Sequence, residues 1–173
     1  MLSITVRETG ETDLEQVGAW YLQFYEEKGD PGLGLALFDT KPERTHELDW
    51  FEGFLASCVK GDAVGLVAEV EGELAGFCEV NRNRPGSTQS HRGGLTVSVK
   101  KRFRGMGVGT ALLEEMIRRC RGRFESLELE VFVGNEAAKH LYQRHGFKTY
   151  GLRPQSVKRN GGYVDEELMY LRL

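Results

Sequence analysis

Val97-Ser-Val-Lys-Lys-Arg-Phe-Arg104-Gly105-Met106-Gly107-Val108-Gly109-Thr110-Ala-Leu-Leu113 is the stretch that decides how the rest of this chain is read. It opens as a strand, places glycines at alternate positions, and continues into Val108, Leu112, Met116 and Cys120 at helical spacing. A strand running through glycines into a helix gathers unpaired backbone N–H groups at one helix N-terminus, where the macrodipole favours an anion. A diphosphate suits such a cradle. Without a Cβ its oxygens can approach the amides closely, and Arg104 adds a fixed positive fork beside them. Three glycines with a flanking arginine exceed what a tight strand–helix turn needs.

Other phosphate-binding patterns fit less well. A Walker loop needs lysine between glycine and the hydroxyl residue, and Gly109-Thr110 has none. Gly105-x-Gly107-x-x-Thr110 is one residue off the dinucleotide fingerprint, with Glu130 about 20 residues on, but residues 100–104 separate it from its strand. A nicotinamide-dependent oxidoreductase is therefore the lesser alternative. Lys100, Lys101, Arg102 and Arg104 form a basic cluster, yet no aromatic platform accompanies it. With 23 basic against 26 acidic residues the net charge is −3, so no nucleic-acid partner is expected. His91, His140 and His145 lack metal-ligand spacing, and no metal is expected.

Working outward, 173 residues fit one domain, 1–173, large enough to bury a core without staples. Residues 4–7 read as a strand. Asp13 then offers a cap to a helix carrying Leu14, Val17, Trp20, Tyr21, Phe24 and Tyr25, stopped by Lys28-Gly29-Asp30-Pro31-Gly32. Residues 33–40 read as a loop or short helical piece. A second helix from Pro42 or Arg44 to Val59 puts Leu48, Phe51, Leu55 and Cys58 on one face, with Gly61 ending it. Residues 63–70 and 74–80 form a hairpin about Glu71-Gly72-Glu73, followed by a polar, mobile loop at 81–92 and a strand at 94–99. After the glycine segment come a helix at 107–121, a strand at 126–133, a helix at 135–145, and strands at 147–152 and 163–173 separated by a loop with Asn160-Gly161-Gly162. Cys58, Cys78 and Cys120 fall in apolar patterns without a CxxC pair, so core thiols in a reducing compartment are expected. The first residues lack a leader's apolar core, and no run approaches the ~18 apolar residues of a membrane span. The expectation is a cytoplasmic protein with no membrane partner.

Arg104-x-x-Gly107-x-Gly109, preceded by a strand and followed by Thr-Ala-Leu-Leu, resembles the acyl-CoA signature of the GNAT superfamily of N-acetyltransferases. Asn135-Glu-Ala-Ala-Lys-His-Leu-Tyr142-Gln-Arg-His-Gly146-Phe147 is similar to that family's Asn-x-x-Ala-x-x-x-Tyr-x-x-x-Gly-Phe segment. The resemblance implies an α/β fold with a mixed, mostly antiparallel seven-stranded sheet splayed between strands 4 and 5 and flanked by about four helices. It implies an acetyltransferase taking acetyl-CoA as co-substrate and no metal, with an amine-bearing small molecule or peptide as acceptor. A homodimer stays open.

By the same resemblance, the backbone of Arg104, Gly105, Met106, Gly107, Val108, Gly109 and Thr110 would hold the CoA pyrophosphate. The strand edge at Val97 and Val99 would pair with the pantetheine amides. Asn135 would bond the pantetheine arm, or only cap its helix. Tyr142 would stand near the sulfur as general acid, or be a core tyrosine. The CoA 3′-phosphate would account for part of the basic cluster. Some relatives carry a basic glutamate early in the strand before the glycine loop, where this chain has Gly93-Gly94-Leu95-Thr96. Glu79 and Glu130 are the remaining candidates for the base. An alkyl amine with a pKa of ~10.4 is disfavoured in its neutral form at pH 7 by roughly 4–5 kcal/mol, against about 1 for an α-amine near 8, so a weakly basic acceptor needs less help. Trp20, Tyr21, Phe24, Tyr25 and Trp50 could line an acceptor pocket or simply be core, and residues 31–40 and 81–92 would tune specificity. A non-catalytic acyl-CoA sensor is the alternative outside enzymes.

Overall fold

The computed structural model describes residues 3–24, 41, 43–159 and 161–173. Seven strands, β1 (Ile4–Glu8), β2 (Ala63–Val70), β3 (Glu73–Arg82), β4 (Arg92–Val99), β5 (Ser126–Phe132), β6 (Lys148–Arg159) and β7 (Gly162–Arg172), make one sheet in the order β1-β2-β3-β4-β5-β7-β6. Among the described residues four α-helices flank it: α1 (Leu14–Gln23), α2 (Arg44–Val59), α3 (Val108–Cys120) and α4 (Glu136–Arg144). All strand pairs are antiparallel except β4–β5.

That exception creates the site. β4 and β5 pair only through Arg92↔Ser126, Gly93↔Leu127 and Gly94↔Glu128, after which they diverge. The other neighbours of each strand continue: β4 stays on β3 out to Val99↔Gly76, and β5 stays on β7 out to Phe132↔Glu166. The sheet therefore opens as a wedge between its fourth and fifth strands, as the resemblance implied.

Both faces of β2 and β3 are covered, which is why they read as near-continuous apolar runs rather than alternating ones. On one face α3 lays down Val108, Leu112, Leu113, Met116 and Cys120 against Leu66, Cys78 and Val80. Gly76 lets it approach closely, since a Cβ there would stand 2.8 Å from Leu112 Cδ1. On the other face Val17, Trp20 and Phe24 of α1 and its end join Phe51 and Phe54 of α2 over Val67, Leu74 and Phe77. The β2–β3 turn has positive φ at both Glu71 (50°) and Gly72 (81°), the two-residue turn that suits strand twist.

Three expectations are corrected. Asp13 does not cap α1 with its side chain; its carboxylate instead takes two bonds from Arg7 (2.8 and 2.7 Å) and one from the Gly10 N–H (2.9 Å), locking β1 to the helix entry. In α2 the fully covered positions are Glu47, Phe51 and Phe54, while Leu55 and Cys58 pack at the margin. The strand expected over 147–152 runs to Arg159. Pro154 is tolerated because β6 is an edge strand paired only with β7, and the register shift between Arg153 and Val157, with Gln155 at φ 51°, absorbs the extra residues. Within 81–92, the backbone bonds Ser87 N–H to Arg84 O and Ser90 N–H to Ser87 O give the loop internal structure, and Arg82 ties it down through Ser90 O. The stop at residues 28–32, the piece at 33–40, Tyr25, Pro42 and Asn160 lie outside the described residues.

Candidate active site

A cleft of about 470 Å³ fills the wedge, walled by Val97, Ser98 and Val99 of β4, by the glycine loop, and by Asn135, Ala138 and Tyr142 at α4. The end of the cleft at the glycine loop has the backbone geometry that suits an anion. Among the described residues none of the amides from Gly105 to Thr110 makes a well-formed backbone hydrogen bond within the chain; the first to do so is Ala111, to Gly107 O at 3.0 Å. These are the orphan donors of the α3 N-terminus. Gly105 (φ 76°) and Gly107 (φ 89°) hold the left-handed turns that aim the amides, and a Cβ at Gly105 would meet nothing within 4 Å. Space beside the amides is thus open. Gly109 serves packing instead, its missing Cβ lying 3.2 Å from Leu141 Cδ2.

Arg104 is anchored at the rim by its Nε, which donates to Val99 O at 3.1 Å. Because Lys100 N–H donates back to Ala75 O on β3, strand alternation turns the backbone groups of Val99 and Val97 the other way, into the wedge. Of the basic cluster, Lys100 and Arg102 both reach Glu73. Met106 is exposed and Val108 is core, and neither side chain lines the cleft; only their amides belong to the loop.

On the α4 side, Asn135 is the N-cap: its Oδ1 accepts from Ala138 N–H at 3.2 Å while the residue also faces the cleft. Tyr142 is 7% exposed, lines the cleft, and packs on Phe147 with centroids 5.7 Å apart. Burial and then the nearby Cys78 raise its hydroxyl above the ordinary range, so it stays protonated. Sequence reasoning did not list Phe24, Ser98, His140 or Arg144 among cofactor-cleft residues. The signal for the last two was the same face of α4 that carries Ala137 and Leu141.

The two candidate carboxylates differ sharply. Glu130 is 48% exposed and bonded to Arg153 at 2.7 Å. Glu79 sits on β3 opposite Thr96, two register steps from the Asn81↔Gly94 pair, with its Oε2 buried and without a partner among the described residues. Burial pushes it up to about 7 against an opposing bond with Asn81. On the same sheet face the Tyr21 hydroxyl is also buried and partnerless, in a nest of Trp20, Phe24, Trp50 and Phe77 rings. Cys78 and Cys120 are buried core thiols and Cys58 packs at the margin; burial pushes Cys58 up to about 11 and Cys120 up to about 12.

Residues 15–147 match the acetyltransferase (GNAT) family. Among characterised proteins, the L-amino acid N-acetyltransferase AaaT of Escherichia coli K12 is 36% identical over 107 residues, spanning 60% of this chain and 65% of that protein. The L-methionine sulfoximine/L-methionine sulfone acetyltransferase of Pseudomonas paraeruginosa is 27% identical over 176 residues, covering 99% and 96%. In three dimensions the chain superposes on a ribosomal-protein-alanine N-acetyltransferase from Brucella melitensis with TM-score 0.82 and 28% identity, covering 98% and 99% of the two chains. It shares its fold, at TM-score 0.84 and 21% identity over 99% and 94%, with yncA of Salmonella typhimurium, solved with acetyl-CoA.

Proposed function

The chain belongs to the GNAT family of acetyltransferases, and from this premise we propose that its wedge binds acetyl-CoA and passes the acetyl group to a primary amine by direct attack in a ternary complex. The observation that carries the reading is the row of undonated amides from Gly105 to Thr110, opening onto a cleft that ends at Tyr142. The amides and Arg104 hold the diphosphate. The inward-turned backbone at Val97 and Val99 pairs with the pantetheine amides as an added strand would, and Asn135, its Oδ1 committed to the cap, offers its side-chain N–H₂. A β4 N–H stabilises the oxyanion.

Tyr142 faces the sulfur. A thiol ionises near ~8.5, well below this phenol, so Tyr142 serves the leaving thiolate by donating a hydrogen bond and keeping the proton. Of the two carboxylates Glu79 suits the base: it is buried, poised near neutrality, and not held by a cation as Glu130 is. The relatives named for L-amino acids and for ribosomal-protein alanine support an amine acceptor. Three unpaired cysteines suit the reducing cytoplasm.

Thiol release from acetyl-CoA over a panel of amines and peptides tests this directly. Amine-dependent release is expected. Saturable acetyl-CoA binding with no release for any amine would leave a sensor in place of an enzyme.

A further inference from the structure

Tyr21 and Glu79 bring two orphaned polar atoms to one face of the sheet. Phe77 and Glu79 alternate to the same side of β3, and Ser98, paired with Phe77 across β4, lies there as well. The Tyr21 ring stands over Phe77 with centroids 6.2 Å apart and against Phe24 at 5.2 Å. Phe24 and Ser98 both line the cleft, so the pair is one side chain removed from it. The hydroxyl of Tyr21 and Oε2 of Glu79 are each out of solvent with no hydrogen-bond partner among the described residues, and the Glu79 charge is felt at Tyr21. Ser98 Oγ donates to Phe77 O at 3.3 Å; it lies near the Tyr21 hydroxyl and favours its ionised form, but makes no well-formed hydrogen bond to it. A native fold that leaves two buried polar atoms unsatisfied on one face of a sheet loses stability by it, unless a ligand completes them.

We propose, building on the acetyltransferase reading above, that the Tyr21 hydroxyl and the Glu79 carboxylate are the seat of the acceptor's nitrogen, and that this seat selects α-amines over side-chain amines. A neutral amine has two N–H donors and one lone pair. Once Glu79 has taken its proton, its carbonyl oxygen and the Tyr21 oxygen accept the two N–H groups, which leaves the lone pair for the thioester carbonyl. The acceptor enters as an ammonium and gives one proton to the Glu79 carboxylate. The nitrogen–carbon bond then forms, the carbon–sulfur bond breaks, and the nitrogen's second proton goes to the departing sulfur. The products are an amide, the free thiol and a protonated Glu79.

The selectivity comes from proton affinity. Around Glu79 stand Tyr21 from α1, Cys58 from α2, and Asn81 and Cys78 on its own strand, with Glu47 of α2 felt at Tyr21, all neutral or acidic. No cation is among them to lower Glu79, which burial has brought up to about 7. Taking a proton from an α-amine near ~8 is a shift of about one unit, and from a lysine-type amine near ~10.4 more than three.

Lysinamide carries both amines in one molecule. Acetylated at pH 7 and mapped by mass spectrometry, it is expected to be modified at the α-nitrogen over the ε-nitrogen by about a hundredfold. Tyr21→Phe is expected to raise the amine KM roughly tenfold, to leave the acetyl-CoA KM within about twofold, and to keep or raise the melting temperature. A packing role would instead lower Tm and move both KM values. Preferred ε-acetylation, or Tyr21→Phe with an unchanged amine KM in an active enzyme, overturns the seat alone. Wild type that binds acetyl-CoA yet acetylates no amine overturns the seat together with the functional reading.

Discussion

In the proposed mechanism Tyr142 and Glu79 divide the chemistry between them, and each carries a prediction. Tyr142→Phe removes a hydrogen bond to the leaving sulfur and little packing, so kcat is expected to fall about 10- to 100-fold with acetyl-CoA KM nearly unchanged in steady-state kinetics. Glu79→Gln is expected to lower kcat/KM for the amine about 10²- to 10⁴-fold and to abolish the rise in rate expected of wild type as pH passes through about 7. The same residue is a stability liability. Its carboxyl binds protons more tightly folded than unfolded, so its contribution is favourable below the unfolded value near 4.5 and is lost as pH rises through about 7. Denaturation at pH 8 should therefore find Glu79→Gln more stable than wild type by up to roughly 3 kcal/mol, with the gap closing by pH 4. Tyr142 was legible as a candidate from its motif. The choice of Glu79 over Glu130 was not, because both are strand glutamates in sequence, and only the tertiary fold buries one and pairs the other with Arg153. Tyr21 was hidden for a related reason: an aromatic at helical spacing reads as core, which its ring is, and nothing in a sequence reports an orphaned hydroxyl.

The element that matters most is the turn from β4 into α3. Gly107→Ala places a side chain at φ 89° beside the amides, so acetyl-CoA is expected to bind at least tenfold more weakly by calorimetry. Gly122→Ala, strained alike at φ 77° beyond the far end of α3, should leave binding untouched. Asn135→Ala removes the α4 cap and is expected to cost about 1 kcal/mol, a fall of roughly 2–4 °C in Tm. Element types were largely readable because amphipathic spacing in α3 and α4 and the apolar runs of β2 and β3 are strong signals. The second half of β6 was not. Pro154, polar residues and a multi-residue bulge resemble a loop in sequence, and they are a strand only because β7 supplies a partner along one edge.

At the scale of the molecule, one parallel pairing in an otherwise antiparallel sheet, abandoned after three residue pairs, opens the wedge proposed to receive a long flexible co-substrate. The flanking cores hold that wedge rigid: α3 fixes the glycine loop from one face, and α1 with α2 fixes Glu79 and Tyr21 from the other. Ligand binding to this arrangement should appear as linkage. Acetyl-CoA at 100 times its Kd adds about 2.7 kcal/mol and raises Tm by several degrees, whereas NAD should not shift it. The amides from Gly105 to Thr110 bear most of the account, and nuclear magnetic resonance reads them individually. In a titration of the ¹⁵N-labelled protein with CoA, those backbone resonances should move most of all and exchange more slowly with solvent. Saturable CoA binding that leaves them unmoved would contradict the account.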